Sequence, residues 1–138
     1  MNEPNVLIVD DERDYIETLT KRLKKRGLEI TGIENGEDAL EWLSGNPVDV
    51  VLLDVRMRGM DGIQVLREIK NEYPLIEVIM LTGHASTEVA IEGMELGAFD
   101  YLMKPVDFDE LLYKIQDAHK KKSIQEEKIS GMEKMVTG

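Results

Sequence analysis

Short unbroken runs of apolar residues alternate along this chain with longer stretches in which apolar positions recur every three or four residues. The first pattern reads as strands buried on both faces, and the second as helices that bury one stripe. Val6 to Val9 (VLIV) is the first such strand and stops at Asp10, Asp11 and Glu12. Ile16, Leu19 and Leu23 then mark a helix, with Lys21, Arg22, Lys24, Lys25 and Arg26 near its end, where cations complement the helix dipole. Gly27 stops it, and Leu28 to Ile33 is a weaker second strand. Asn35-Gly36 opens a second helix with Glu37 and Asp38 in its first turn, Ala39, Leu40 and Leu43 on its inner face, and Gly45 and Pro47 at its end. Trp42 is expected to be a partly buried packing residue of that helix.

Val48 to Asp54 (VDVVLLD) is the central strand and ends abruptly in a carboxylate. Asp61 and Gln64 have capping-box spacing before a helix carrying Ile63, Leu66 and Ile69, closed by Pro74. Val78 to Leu81 (VIML) runs into Thr82, and Ser86 or Thr87 caps a helix with Val89, Ala90 and Met94 that stops near Gly97. A short strand from Asp100 to Met103 leads to Lys104-Pro105, and Asp107 with Glu110 gives a capping box for a last helix facing inward through Leu111, Leu112 and Ile115. Five strands alternating with five helices predict an α/β fold: a doubly wound, five-stranded parallel sheet with right-handed crossovers. Ligands of such sheets bind beyond the carboxyl ends of the strands. Asp10, Asp11, Asp54, Thr82 and Lys104 all lie at such ends.

Composition narrows the chemistry. A chain of 138 residues fits one domain and a tail, and its 42% hydrophobic and 33% charged residues are ordinary for a globular protein. No apolar run reaches the roughly 18 residues of a membrane span. Met1-Asn2-Glu3-Pro4-Asn5 lacks the basic start of a signal peptide, so a cytoplasmic protein is expected. Without cysteine, disulfides, thiolate metal sites and thiol nucleophiles are excluded. A net charge of −11 argues against direct binding to nucleic acid.

Three carboxylates gathered at one sheet edge repel each other, by roughly 4 kcal/mol per pair at about 4 Å and an effective dielectric near 20. A hard divalent cation such as Mg2+ suits oxygen donors of this kind and shares phosphate oxygens. Lys104 supplies a second positive charge and Thr82 a hydroxyl. In a pocket so built, a carboxylate is the available nucleophile, and the product of phosphoryl transfer to Asp54 would be an aspartyl phosphate.

Asp10-Asp11, Asp54, Thr82, Tyr101 and Lys104-Pro105, at this spacing, resemble the receiver domain of bacterial response regulators over about residues 5 to 120. The resemblance implies the flavodoxin-like strand order 2-1-3-4-5 and a receiver domain over residues 1–120, which leaves a helical extension or disordered tail over 121–138. It implies that Asp54 is the phosphoacceptor, that Asp11 ligates Mg2+ with Asp10 acting through metal-bound water, and that the Arg56 carbonyl is a further ligand. Lys104 then pairs with the phosphoryl group, while Thr82 and Tyr101 are the switch residues that reshape the face of helix four, strand five and helix five. The implied partners are a sensor histidine kinase or phosphotransfer protein and, downstream, a protein target or an output domain. A phosphorylation-dependent homodimer is also implied. The family's Lys-Pro peptide is usually cis, whereas an isolated Lys-Pro step favours trans. Arg58 stands where the family often has proline. His84 and Arg56, each two residues beyond a site residue, are expected to be exposed, and His119 to be a solvated helix residue.

The stretch Leu81 to Pro105 (LTGHASTEVAIEGMELGAFDYLMKP) is similar to receivers of NtrC-type transcription regulators, so a missing output domain is one reading and a single-domain regulator the other. Seven-residue steps join Ile115, Lys122, Ile129 and Val136, and Ala118, Gln125 and Met132, but Lys122 and Gln125 interrupt the apolar seam. With Gly131 weakening the helix further, the tail is expected to extend helix five and then fray. A Mg-dependent phosphatase with an aspartyl nucleophile is the alternative function, although Asp10-Asp11-Glu12 lacks the Asp-x-Asp arrangement of that class. A flavodoxin-like electron carrier is disfavoured by the acids in the first loop.

Overall fold

The computed structural model describes residues 3–57, 59–83 and 87–137. Its elements run β1 (Asn5–Val9), α1 (Arg13–Lys25), β2 (Glu29–Ile33), α2 (Gly36–Leu43), β3 (Val50–Asp54), α3 (Gly62–Glu72), β4 (Glu77–Thr82), α4 (Thr87–Glu95), β5 (Asp100–Met103) and α5 (Phe108–Thr137). All five strands are parallel in the order 2-1-3-4-5, with β3 between β1 and β4. Chain direction reverses its sense of travel across the sheet between β1 and β3, and the carboxyl ends of those two strands lie side by side.

Period-two alternation divides the core into two layers. Val6, Ile8, Val50, Leu52, Ile79 and Leu81 face α1 and α5, where Ile16, Leu19, Leu23, Leu111, Leu112, Ile115 and Ala118 complete one cluster. Leu7, Val9, Val51, Leu53, Val78 and Met80 point the other way, onto Ala39 and Leu43 of α2 and Val65, Leu66 and Ile69 of α3. Every residue of β3 is buried. At about 1.5–3 kcal/mol for each fully buried large aliphatic side chain, this double-sided burial fixes the strand register, since a slip by one residue would exchange the two layers.

Local signals hold the elements in place. Asn35 caps α2 by accepting the Asp38 N–H at 2.8 Å, and Asp61 with Gln64 forms the full capping box of α3. At α5 the Asp107 carboxylate takes the Asp109 N–H at 2.9 Å, one residue short of the Glu110 N–H that the sequence pattern pointed to. The cap proposed at Ser86 lies outside the described residues. Gly62 begins α3 hard against the end of β3: a Cβ there would stand 2.4 Å from the Asp54 carbonyl oxygen and 2.6 Å from the Val55 Cα. Gly59, at φ +79°, turns the preceding loop, and Glu37 of α2 pins that loop by accepting the Met60 N–H at 3.1 Å.

The helix α5 does not fray at the edge of the domain; it runs for 30 residues to Thr137. Two charged groups at the amino-terminal edge of the sheet receive it. Lys122 lies 3.1 Å from Asp49, at the foot of β3, and 3.2 Å from Glu126 one turn along the helix. Lys121 lies 3.1 Å from Glu77, the buried first residue of β4, which also meets Lys70 at 3.5 Å. Lys70 donates in addition to the carbonyls of Pro74 and Ile76, and burial pushes its pKa down. His119 is half-buried with its imidazole 3.9 Å from Asp49, not the solvated residue expected, because α5 lies across that edge. From Ile124 to Val136 the helix is exposed. Among the described residues no helix is long and apolar enough to cross a membrane.

Candidate functional site

Strand ends bring the site together. Asp54 closes β3, Asp10 follows β1, and Thr82 closes β4 one residue past the register partner of Asp54. Asp10 is held in place by its N–H, which donates to the Ile33 carbonyl at 3.1 Å, and by its Oδ1, which accepts the Glu12 N–H at 2.9 Å. Lys104 is placed from beyond β5 by its N–H, which donates to the Thr82 carbonyl at 2.7 Å. The Lys104-Pro105 peptide is cis, as the resemblance implied.

Asp10, Asp11 and Asp54 each contribute a carboxylate oxygen to a cluster in which these atoms lie within 4.8 Å of one another. Asp10 and Asp54 are 2% and 6% exposed, so their charges are felt in a poorly screened setting. Burial, and then the charge of Asp10, push the Asp54 carboxyl up to about 6, against the opposing pull of Lys104 and the Arg56 N–H. That N–H donates to Asp54 Oδ1 at 3.3 Å. The Lys104 ammonium bonds Asp10 Oδ2 at 2.6 Å and lies 4.0 Å from Glu12. Burial alone would lower the Lys104 pKa, but the bond to Asp10 and the charges of Asp10 and Asp54 outweigh it and raise it.

An all-oxygen donor set with converging, charge-strained carboxylates fits a hard divalent cation. Asp10, Asp11 and Asp54 would hold it. Arg56 itself is exposed. Tyr101 is half-buried in β5 against the layer that includes α2 and α3, paired in register with Met80. Arg58 and His84 lie outside the described residues. Sequence reasoning missed Tyr15, whose ring centroid is 4.1 Å from the Lys104 ammonium. Its signal was available: Tyr15 stands four residues after Asp11, in the first turn of α1. The loop-pinning Glu37 had no such signal, since its partner Met60 comes from a distant element.

The family model for the response regulator receiver domain matches residues 6–116. The transcriptional regulator NtrC of Escherichia coli (strain K12) is 41% identical over 113 residues, covering 82% of this chain and 24% of the relative. The regulatory protein ZraR of Klebsiella oxytoca is 40% identical over 114 residues, covering 83% of this chain and 26% of the relative. The crystal structure of a CheY-like receiver domain protein from Methanospirillum hungatei superposes with a TM-score of 0.86 at 27% identity, covering 90% of this chain and 99% of that one. This chain thus spans about a quarter of the length of the curated relatives it matches. These findings lend no support to the phosphatase reading. Matched sequence, strand order and the acidic edge agree, and the chain belongs to the response regulator receiver domain family.

Proposed function

We propose that Asp54 accepts a phosphoryl group from the phosphohistidine of a sensor kinase or phosphotransfer protein in a Mg-dependent reaction that this chain itself promotes, and that the chain later promotes attack of water on the aspartyl phosphate, which releases inorganic phosphate and restores the carboxylate. The observation that carries the reading is the convergence of Asp10, Asp11 and Lys104 on the one carboxylate that ends the central strand. A carboxylate oxygen of Asp54 attacks phosphorus in line, the bond from phosphorus to the donor's imidazole nitrogen breaks, and the imidazole leaves with the electron pair. Mg2+ held by Asp11, Asp54 and the Arg56 carbonyl, with Asp10 behind a bound water, would neutralise charge on the phosphoryl oxygens.

The chain's own residues do the rest. Asp10 holds Lys104 at the pocket while Asp54 is unmodified, and the ammonium has further donors to offer a phosphoryl oxygen. Thr82 supplies a buried hydroxyl on the adjoining strand end. Phosphorylation adds charge of about −1.5 to −2 and three acceptor oxygens, and contacts made only in the switched arrangement shift the equilibrium toward it. Thr82 and Tyr101 then carry the change to the face of α4, β5 and α5, where Ile91, Met94, Met103 and Tyr113 are exposed apolar groups. That face is the proposed docking surface for a second copy or a downstream target, the latter either a separate protein or an output domain. Residues 1–120 form the receiver domain and 121–138 its extension, in a protein that acts in the cytoplasm.

The test is intact-protein mass after incubation with Mg2+ and acetyl phosphate. Wild type is expected to gain one phosphoryl group that hydroxylamine removes, and Asp54→Ala to gain none. An equal gain in Asp54→Ala would overturn the assignment of the acceptor.

A further inference from the structure

The Lys104 ammonium has two kinds of neighbour. One is anionic: Asp10 at 2.6 Å and Glu12 at 4.0 Å. The other is the face of Tyr15, with the ring centroid 4.1 Å from Nζ, well inside the range of a cation–π contact. These neighbours respond differently to the proposed reaction, on which this inference rests. A cation bound at the acidic cluster competes with Lys104 for Asp10, and a phosphoryl group on Asp54 draws the ammonium away from Asp10. Tyr15 neither binds a metal nor takes a phosphoryl group, so its attraction persists through both changes.

Lysine needs such a fixed neighbour more than arginine would, because its point charge rides on a flexible four-carbon stem. Tyr15 is itself fixed. It is half-buried in α1 against the cluster that includes Ile8, Ile16 and Leu111, and it borders a recess lined by Leu19, Pro105 and Phe108. We propose that Tyr15 is a positioning residue whose ring is the platform on which the Lys104 ammonium moves from Asp10 to the phosphoryl oxygen on Asp54. Burial pushes the Tyr15 phenol above its usual range, which keeps it neutral and leaves the ring face as the source of attraction. Phenylalanine, with the same ring face, therefore replaces it.

The experiment measures the initial rate of phosphoryl uptake from acetyl phosphate at saturating Mg2+, by intact mass. Wild type, Tyr15→Phe and Tyr15→Leu are compared, each with Lys104 intact and with Lys104→Ala. Tyr15→Met replaces Tyr15→Leu if the latter does not fold. Tyr15→Phe is expected to stay within about twofold of wild type and the aliphatic variant to be roughly five- to thirty-fold slower, because an ammonium without the ring is free in the unreacted protein and loses its rotamer freedom only on meeting the phosphoryl group, whereas the ring holds it throughout. In the Lys104→Ala background the three should agree within about twofold. An aliphatic variant as fast as wild type, or one equally slowed without Lys104, would overturn the proposal. Wild type that takes up no phosphoryl group would instead remove the Asp54 reading, and this inference with it.

Discussion

Asp54 is destabilising where it stands. Its carboxyl rises from the ordinary 3.8 to about 6, because burial and Asp10 oppose its charge more strongly than Lys104 supports it. A raised carboxyl leaves the fold at full strength below about pH 4 and weakens it as pH rises toward 6, above which the cost is complete. The shift corresponds to at most about 3 kcal/mol. Asp54→Asn should therefore stabilise the cation-free protein by up to that amount at pH 7.5, with the gain vanishing below about pH 4, as urea denaturation in chelator would show. Equal stability at pH 7.5 would refute the assigned strain. The proton on Asp54 must also leave before a cation binds, so Mg2+ affinity should fall as pH drops below about 6. The acidic residues and Lys104 were legible in the sequence because each interrupts or follows an apolar run at a strand end. The resting partner of Lys104 was not, because the contact with Asp10 joins the first and last strands. Glu77 was illegible for a related reason: a charged residue opening a strand reads as exposed, and only the fold brings Lys70 and Lys121 to it.

At the scale of the element, periodicity located the strands because each is short, and the helices because all but α4 bury one stripe; α4 buries only Gly93 and leaves Ile91 and Met94 exposed. The path from β3 into α3 is constrained by close packing against backbone. Gly62 donates its N–H to the Val55 carbonyl at 2.9 Å, and a methyl group there would run into the backbone of Asp54 and Val55. Backbone yields less readily than a side chain, so Gly62→Ala should cost about 1–3 kcal/mol, measurable as a lowered urea midpoint with an unchanged slope. A cost near zero would mean that the loop can move aside. The outer part of α5 was the element least legible. Gly131 and the broken seam at Lys122 and Gln125 argued for fraying, but the seam test asks only about a partner helix. Lys122 is instead occupied by Asp49 and Glu126, pairs that connect it to the sheet and to the next turn of its own helix.

For the whole molecule, the two poles of the sheet have separate tasks. The carboxyl pole carries the acidic cluster, and the amino pole ties down α5. Between them, the face of α4, β5 and α5 leaves Met94 and Met103 about half exposed, at 46% and 51%. Apolar groups grouped on one face suit reversible association, and sedimentation velocity of the fully phosphorylated protein should show a mass near that of a dimer where the unmodified protein shows a monomer. Unchanged sedimentation on phosphorylation would count against that surface as a self-association site. The anchoring of α5 has a further, geometric meaning. Held at Asp49 and Glu77 and continuous to Thr137, the helix is a shaft whose rotational phase is set by the sheet. Each residue adds about 100° of rotation and about 1.5 Å of length, so inserting two residues after Ser123 would turn anything carried on the outer end by about 200°. Inserting seven would lengthen the shaft by about 10 Å and return the same face to within about 20°.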